Sequence, residues 1–234
     1  MQLQNIKAII TGGSTGIGKA TAKLFKEAGA QVVICARNAE KLKATAAELG
    51  VDFMPADVSV EAEVKALFDF AIEKMGGLNV LINNAGIGKI APFLETSPAD
   101  FTRIWEVNTL GVFLCGQAAA RYFVSEKVAG NIINISSMGA VRGYNGGSAY
   151  VSSKSAITGL TMCWQAELRR HNIRVTQVNP SEVVTPFGGM TDAERVNVDK
   201  KLHGEEIAQA IAGILQLNDV GFIPEVNVWA TNPF

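Results

Sequence analysis

The sequence has few histidines and almost no excess of one charge. Its 234 residues carry a net charge of −1 at pH 7 and contain no run of five or more basic residues. Nucleic-acid binding is therefore not expected, because proteins that hold phosphate backbones present clustered lysines and arginines. Neither of the two histidines, His171 and His203, belongs to a cluster of ligand residues, so we expect no metal site.

Long apolar runs are also missing from the sequence. None reaches the roughly 18 residues that a membrane-spanning helix requires, and the first residues lack the apolar region of a signal peptide. The three cysteines, Cys35, Cys115 and Cys163, are odd in number and lie in apolar patterns. That pattern favours buried thiols over a disulfide or a metal set. These features predict a cytoplasmic protein that does not bind membranes.

Apolar residues are abundant, at 48%, and they form short runs that alternate with helical patterns. This alternation predicts a parallel sheet covered by helices on both faces. We expect an α/β fold, a doubly wound parallel seven-stranded sheet of the Rossmann type, with residues 1–234 as a single domain. The predicted strands are residues 7–11, 31–36, 52–56, 79–83, 131–136, 174–179 and 225–230, and the predicted helices are residues 16–28, 39–49, 61–75, 98–127, 149–170 and 204–217.

A glycine-rich segment follows the first predicted strand and opens the first predicted helix. Residues 11–18 read Thr-Gly-Gly-Ser-Thr-Gly-Ile-Gly. Glycines allow the backbone to approach a phosphate closely, and a helix N-terminus attracts negative charge. In this context the segment predicts a cradle for the pyrophosphate of a dinucleotide. The residues expected to form it are Gly12, Ser14, Thr15, Gly16, Ile17 and Gly18.

The second predicted strand ends at Ala36, and Arg37 and Asn38 follow it directly. A protein that binds NAD normally has Asp or Glu there, because a carboxylate accepts hydrogen bonds from the ribose hydroxyls. Here no carboxylate would repel a phosphate on the ribose, and the Arg37 guanidinium could bind one. The sequence therefore predicts NADP(H) as the cofactor. The alternative is an arginine that lies in solvent, with use of both cofactors.

Tyr150 and Lys154 are four residues apart in a segment with helical periodicity. Residues at that spacing share one helix face, and a neighbouring ammonium lowers the pKa of a phenol. The pair could then act as an acid–base group near neutral pH; the alternative is a surface helix with a solvated lysine. Ser137 follows a predicted buried strand and could hold a carbonyl oxygen, whereas alternation along the strand points Ser136 to the other side.

Together these motifs resemble the short-chain dehydrogenase/reductase family, and the resemblance covers nearly the whole chain. The spacing of the glycines is similar to that family's glycine motif, and Asn-Asn-Ala-Gly at residues 83–86 matches its motif after the fourth strand. Asn108 matches a helix asparagine of the family, and Ser137 precedes Tyr150 by the usual 13 residues. Matches continue after the sixth strand, at residues 179–185.

The resemblance implies hydride transfer between the nicotinamide of NADP(H) and a ketone or secondary alcohol. Tyr150 would exchange a proton with the substrate oxygen, Ser137 would bind that oxygen, and Lys154 would also hold the nicotinamide ribose. Asn108 would hold a water that passes protons towards Lys154; the alternative is a helix residue bonded to backbone. The expected catalytic residues are Asn108, Ser137, Tyr150 and Lys154, and the expected cofactor-binding residues are Gly12, Ser14, Thr15, Gly16, Ile17, Gly18, Ala36, Arg37, Asn38, Asp57, Val58, Asn84, Ala85, Gly86, Tyr150, Lys154, Pro180, Val183 and Thr185.

Two groups of these residues have structural alternatives. The resemblance places Asp57 and Val58 beside the adenine, but an aspartate at a strand end can simply cap a turn. It also implies that residues 83–86 hold the fourth strand and the ribose side of the cofactor, although Asn and Gly favour an ordinary turn.

The substrate is less defined, because the chain departs from the family pattern in two places. Ser181 and Glu182 follow Pro180 where relatives often have glycine, and the carboxyl end lacks the Gly-Gly of relatives that reduce 3-oxoacyl thioesters. The favoured reading is a 3-oxoacyl-[acyl-carrier-protein] or CoA reductase. The alternatives are a general ketone or hydroxy-acid dehydrogenase and, in another class, a non-catalytic NADPH sensor.

The expected partners are a small-molecule carbonyl substrate or an acyl thioester and further copies of the chain. Relatives commonly assemble through the helices at residues 98–127 and 149–170, which implies a homodimer or homotetramer. The substrate loop is expected at residues 187–203. The residues expected to line a moderately apolar pocket are Met138, Val141, Tyr144, Phe187 and Met190.

Overall fold

The structure, a computed structural model, describes residues 1–187 and 198–232. Its strands are β1 (Lys7–Thr11), β2 (Gln31–Ala36), β3 (Asp52–Pro55), β4 (Val80–Asn83), β5 (Asn131–Ile135), β6 (Arg174–Pro180) and β7 (Glu225–Val228). They form one seven-stranded sheet in the order β3-β2-β1-β4-β5-β6-β7, and every neighbouring pair is parallel. The order reverses between β1 and β4, which is where open α/β sheets bind their ligands. The predicted fold class is thereby confirmed.

Helices connect the strands and cover the sheet. Within the described ranges they are α1 (Gly16–Glu27), α2 (Ala39–Leu49), α3 (Glu61–Met75), α4 (Pro98–Trp105), α5 (Gly111–Ser125), α6 (Ser148–Leu168) and α7 (Gly204–Gln216). Local sequence fixes several of their ends. The side chain of Asn38 caps α2 by accepting from Lys41 N at 2.9 Å, and Ser97 caps α4, where Pro98 follows as the first helical residue.

The core has two layers, one on each face of the sheet. Along β1 the buried side chains alternate, so that Ile10 packs with Phe25 of α1 on one face and Ile9 packs with the other group, which includes Leu67 of α3 and Phe123 of α5. Alternate residues of a strand point to opposite faces. A continuous apolar run such as that of β1 is therefore explained by burial on both sides.

The helix predicted over residues 98–127 is interrupted. A π-helical segment, Glu106–Leu110, separates α4 from α5 without ending the helical path. The wider turn shifts the phase of the apolar pattern once, and a single shift is not distinguished from the ordinary scatter of apolar positions along a long helix. Such segments are rare and frequently mark functional positions.

The three cysteines differ in burial. Cys35 and Cys115 are buried as predicted, but the prediction for Cys163 is wrong, because this side chain is exposed on α6.

No helix of residues 1–187 and 198–232 is long and apolar enough to cross a membrane. The same residues contain no group of three or more His, Cys, Asp or Glu that could hold a metal ion.

Candidate active site

The glycine-rich turn between β1 and α1 is a close-packed structure. Gly12 and Gly16 have φ values of +67° and +53°, which side-chain-bearing residues rarely adopt. Asn84, after β4, holds the turn by donating from Nδ2 to Thr11 O at 2.9 Å and to Gly12 O at 3.2 Å. A Cβ atom on Gly18 would lie only 2.5 Å from Gly12 O. The turn therefore brings bare backbone to the carboxyl edge of the sheet.

The start of α1 is suited to an anion. Thr15 occupies the N-cap position, but its side chain makes no capping hydrogen bond, and the first turn contains no acidic residue. Helix N-termini present N–H groups that have no partner within the helix, and these groups bind phosphate. The residues present at the turn therefore fit a pyrophosphate.

Arg37 and Asn38 follow β2 at the same edge of the sheet. Arg37 is exposed and forms no ion pair with any residue that the structure describes. Its charge is available to a ligand. Asn38 has a structural role in any case, because its side chain caps α2.

Asp57 and Val58, after β3, are tied to the α4 and α5 region. Asp57 accepts hydrogen bonds from Ser59 N at 2.9 Å and Ser59 Oγ at 2.6 Å, and it forms a 2.6 Å ion pair with Arg103. Burial acts to raise the pKa of Asp57, but these bonds outweigh it and lower the pKa below its ordinary value. A Cβ on Gly111 would lie 2.6 Å from Val58 Cγ2. The turn-capping role of Asp57 is thus present, and the Val58 side chain is buried against α5.

Tyr150 and Lys154 share one side of α6 and are drawn towards the end of β5. Lys154 is buried, with 4% of its surface exposed, and its Nζ donates to Ile135 O at 2.8 Å. The same Nζ lies 5.8 Å from the centroid of the Tyr150 ring. Ser136 Oγ donates to Lys154 O at 3.2 Å, whereas Ser137 hydrogen-bonds to Tyr150. The two serines point to different partners, as the strand alternation indicates.

The protonation of this pair differs from the sequence-based expectation. Burial raises the pKa of Tyr150 to about 12, and the hydrogen bond with Ser137 only partly offsets it. Burial also lowers the pKa of Lys154 to about 8. The expectation of a lowered phenol pKa is wrong here, because burial of Tyr150 outweighs the influence of the ammonium, which donates to Ile135 O. Desolvation dominates both groups.

Asn108 occupies the middle of the π-helical segment and is fully buried. Its Oδ1 accepts from Ile87 N at 2.8 Å, and its Nδ2 donates to Ile87 O at 2.9 Å and to Ser153 Oγ at 3.0 Å. The side chain of Asn108 is therefore bonded to backbone, and its water-holding role stays a prediction. A Cβ on Gly86 would lie 3.4 Å from Asn108 Oδ1 and 3.5 Å from Lys154 Nζ, so Gly86 lies beside both groups.

The segment after β6 reaches back over the site. Val183 forms an isolated parallel bridge with Leu202, and a Cβ on Gly16 would lie 2.9 Å from Thr185 Cγ2. The Phe187 ring packs edge-on against Tyr150, with centroids 5.5 Å apart. Pro180, at the end of β6, is in register with Val228.

Of the expected pocket residues, Tyr144 and Phe187 lie near the Tyr150 phenol. Burial raises the pKa of Tyr144, and its charge acts to raise that of Tyr150, which places the two phenols close together. Val141 is 59% exposed. Met138 begins the short turn that follows Ser137. Met190 and most of the expected substrate loop lie outside the described residues.

Sequence reasoning missed two residues that organise the site. Ser153 accepts from Asn108 and donates to Tyr150 O at 2.7 Å, between the two expected catalytic positions of α6. Arg103 joins Asp57 to Glu106, the first residue of the π-helical segment. The only available signal for Ser153 was its place between Tyr150 and Lys154.

A doubly wound sheet with this glycine-rich turn and with the pair of Tyr150 and Lys154 is typical of an α/β oxidoreductase.

Comparison with known proteins agrees with that class. The family model described as short chain dehydrogenase matches residues 7–195. Short chain aldehyde dehydrogenase 1 from Euphorbia lathyris is 39% identical over 213 residues, which are 87% of this chain and 74% of that protein. The chain belongs to the short-chain dehydrogenase family.

Two solved structures are similar over almost their whole length. An alcohol dehydrogenase from the archaeon Thermococcus sibiricus, complexed with 5-hydroxy-NADP, has a TM-score of 0.87 and 29% identity, and the match covers 96% of each chain. A 3-ketoacyl-(acyl-carrier-protein) reductase from Brucella melitensis, complexed with NADH, has a TM-score of 0.88 and 29% identity, covering 97% of this chain and 98% of that one.

Proposed function

We propose that the protein is an NADP(H)-dependent oxidoreductase that transfers hydride between the nicotinamide and a ketone or secondary alcohol. The observation that carries this proposal is the buried Lys154 ammonium beside the Tyr150 ring, with Ser137 hydrogen-bonded to the same tyrosine. A buried ammonium without a carboxylate partner is costly. Its presence beside a phenol is explained if the pair handles a proton.

The coenzyme would be held by residues from four strand ends. The turn at Gly12–Gly18 and the open start of α1 fit the pyrophosphate, and Val58 and the backbone of Asp57 would flank the adenine. Ala85 and Gly86 would face the nicotinamide ribose together with Lys154, while Val183 and Thr185 would approach the nicotinamide from the segment after β6. When bound, the coenzyme supplies or accepts the hydride.

The preference for NADP(H) is supported by Arg37. Its guanidinium is exposed after the end of β2 and has no ion-pair partner among the described residues. None of Ala36, Arg37 and Asn38 carries a carboxylate that would repel a phosphate on the ribose. Guanidinium groups bind phosphate with two parallel hydrogen bonds. One solved relative is complexed with an NADP analogue and another with NADH. Membership of the family therefore does not decide between the two coenzymes.

The proton would move through the chain's own groups. With a pKa of about 12, the Tyr150 hydroxyl is protonated at neutral pH and can donate to a carbonyl oxygen. Ser137 would hold that oxygen. The charge of Lys154, whose Nζ lies 5.8 Å from the centroid of the Tyr150 ring, would stabilise the phenolate that remains in this desolvated site. Asn108 would keep Ile87 and α6 in place around the proton path.

Two substrate classes are supported by different relatives. A 3-oxoacyl thioester on acyl-carrier protein or CoA is supported by the likeness to the Brucella melitensis reductase. A general ketone or hydroxy acid is supported by the likeness to the Thermococcus sibiricus alcohol dehydrogenase and by the aromatic ring of Phe187 over Tyr150. We propose that the protein acts in the cytoplasm on a small-molecule carbonyl compound, as a homodimer or homotetramer whose chains are single domains.

The experiment that tests the function is a screen of ketones and 3-oxoacyl thioesters against NADPH and NADH, monitored by nicotinamide absorbance. Turnover of at least one carbonyl compound with a preference for NADPH is expected. A non-catalytic NADPH sensor, the second class of function, would bind NADPH but turn over none of them. Binding of neither coenzyme would contradict both functions.

A further inference from the structure

The segments at either end of residues 187–203 are joined to each other at their base. Val183 pairs with Leu202 in a parallel bridge, and Val184 N donates to Leu202 O at 2.7 Å. Beside this bridge the carboxylate of Glu182 forms an ion pair with the ammonium of Lys201. Residues 181–185 and 201–204 therefore behave as one unit, which we call the loop base.

The loop base encloses the glycine-rich turn from two sides. A Cβ on Gly16 would lie 2.9 Å from Thr185 Cγ2, and a Cβ on Gly204 would lie 2.9 Å from Gly16 O. Gly16 has a φ of +53°, which residues with side chains rarely adopt, so glycine is favoured at this contact. Thr185 and Gly204, one from each half of the loop base, therefore both lie against Gly16 of the turn.

The ion pair is the part of the loop base that depends on charge. The Lys201 side chain is only 15% exposed, whereas that of Glu182 is 55% exposed. The Lys201 side chain is mostly covered as far as its ion pair, which itself meets solvent, so removal of Glu182 is expected to cost a modest amount of free energy. Neither residue forms a second ion pair within the described ranges.

We propose that Glu182 and Lys201 are a positioning pair that sets the affinity for the coenzyme, by holding Thr185 and Gly204 against the pyrophosphate turn. Charge attraction across the base keeps the backbone of residues 183–185 at the spacing that the turn requires. The two residues would not touch the coenzyme themselves. The proposal rests on the proposed function, because it concerns the same coenzyme.

The test is a charge swap read out as coenzyme binding to the full-length protein, independently of turnover. Isothermal titration calorimetry with NADPH would compare the wild type, Glu182→Lys, Lys201→Glu and the double swap. Each single reversal is expected to weaken binding about fivefold, which corresponds to about 1 kcal/mol, and the double swap is expected to return to within about twofold of the wild type. Glu182→Gln, at the more exposed position, is expected to weaken binding about twofold and provides a milder variant.

A matched control is the ion pair of Lys65 and Asp69 on α3, which is exposed and four residues apart. Reversal of either control charge should leave the dissociation constant for NADPH unchanged. Wild-type affinity in Glu182→Gln and in both single reversals, or a double swap no better than its singles, would overturn the positioning role. Absence of NADPH binding to the wild type itself would overturn the proposed function together with this inference.

Discussion

The amide of Asn108 and the hydroxyl of Ser153 are joined by a 3.0 Å hydrogen bond that connects the π-helical segment to α6. Ser153 Oγ continues the connection by donating to Tyr150 O at 2.7 Å. Both side chains are fully buried. Ser153 therefore links Asn108, which bonds to Ile87, with Tyr150, which carries the phenol.

Ser153→Ala tests this link. The substitution removes the partner that α6 offers to Asn108, and small misplacements of reacting groups are costly, so kcat is expected to fall on the order of tenfold. Coenzyme affinity is expected to stay within about twofold, because Ser153 is fully buried and bonds to Asn108 and to Tyr150 O. Steady-state kinetics and NADPH titration check both values. Ser155→Ala, one residue beyond Lys154 and exposed, is the control, and equal rates for the two variants would contradict the assigned role.

Tyr150→Phe removes the proposed proton donor while keeping the ring that packs against Phe187. General acid catalysis contributes about 10²- to 10⁴-fold, so turnover of any carbonyl substrate is expected to fall by at least about 10²-fold. NADPH affinity is expected to change little. Single-turnover absorbance measurements and calorimetry separate the two effects. Substantial activity in the variant would remove Tyr150 from the mechanism.

Arg37→Asp replaces the exposed cation at the end of β2 with a carboxylate. The new side chain would repel the 2′-phosphate of NADPH and accept hydrogen bonds from the ribose of NADH. The ratio of kcat/KM for NADPH over NADH is expected to fall by at least about tenfold. Lys43→Asp, also exposed and on α2, introduces the same charge change and should leave the ratio near the wild-type value. An unchanged ratio in Arg37→Asp would refute the selection by Arg37.

The pH dependence of the rate follows from Lys154. Because its pKa is lowered to about 8, the ammonium is charged below that pH and progressively neutral above it. The neutral amine no longer stabilises a phenolate, so kcat/KM for carbonyl reduction is expected to decline as the pH rises above about 8. Tyr150 stays protonated over this range, since its pKa is about 12. A rate that increases from pH 8 to 9 would contradict the assignment.

The same pKa predicts a dependence of stability on pH. Between about 8 and the ordinary value of 10.5 the unfolded chain holds a proton on Lys154 that the folded protein does not, so the free energy of unfolding rises with pH in this window. Relative to Lys154→Met, which has no such group, the wild type is expected to gain on the order of 1 to 2 kcal/mol between pH 8 and 10. Urea denaturation at several pH values measures the difference. Parallel curves for the two proteins would refute it.

Much of the fold could be predicted from the sequence because its signals are local. Each strand is a short apolar run, each helix has its own period, and their alternation indicates a parallel sheet covered by helices. The grouping of Tyr150 with Lys154 follows from helical spacing alone. The turn at Gly12–Gly18 is likewise recognisable, because its conformation depends on the residues within it.

The parts that could not be predicted depend on residues distant in the sequence. The pKa of Tyr150 is set by burial that includes Phe187, and the partner of Lys154 is a backbone carbonyl of β5. Arg103 and Asp57 are 46 residues apart, and neither has a local pattern that names the other. The π-helical segment around Asn108 arises from one additional residue in a turn, which apolar periodicity does not resolve.

The open start of α1 gives the nucleotide a second role beyond reactivity. Thr15 leaves the first amide groups of this helix without a side-chain cap, and a bound pyrophosphate would complete them. A ligand that binds only the folded state multiplies the ratio of folded to unfolded chains by one plus the ratio of the free ligand concentration to Kd. On the proposed function, the supply of coenzyme in the cell would govern the lifetime of the protein against proteolysis, so that depletion of the nucleotide would also reduce the amount of enzyme.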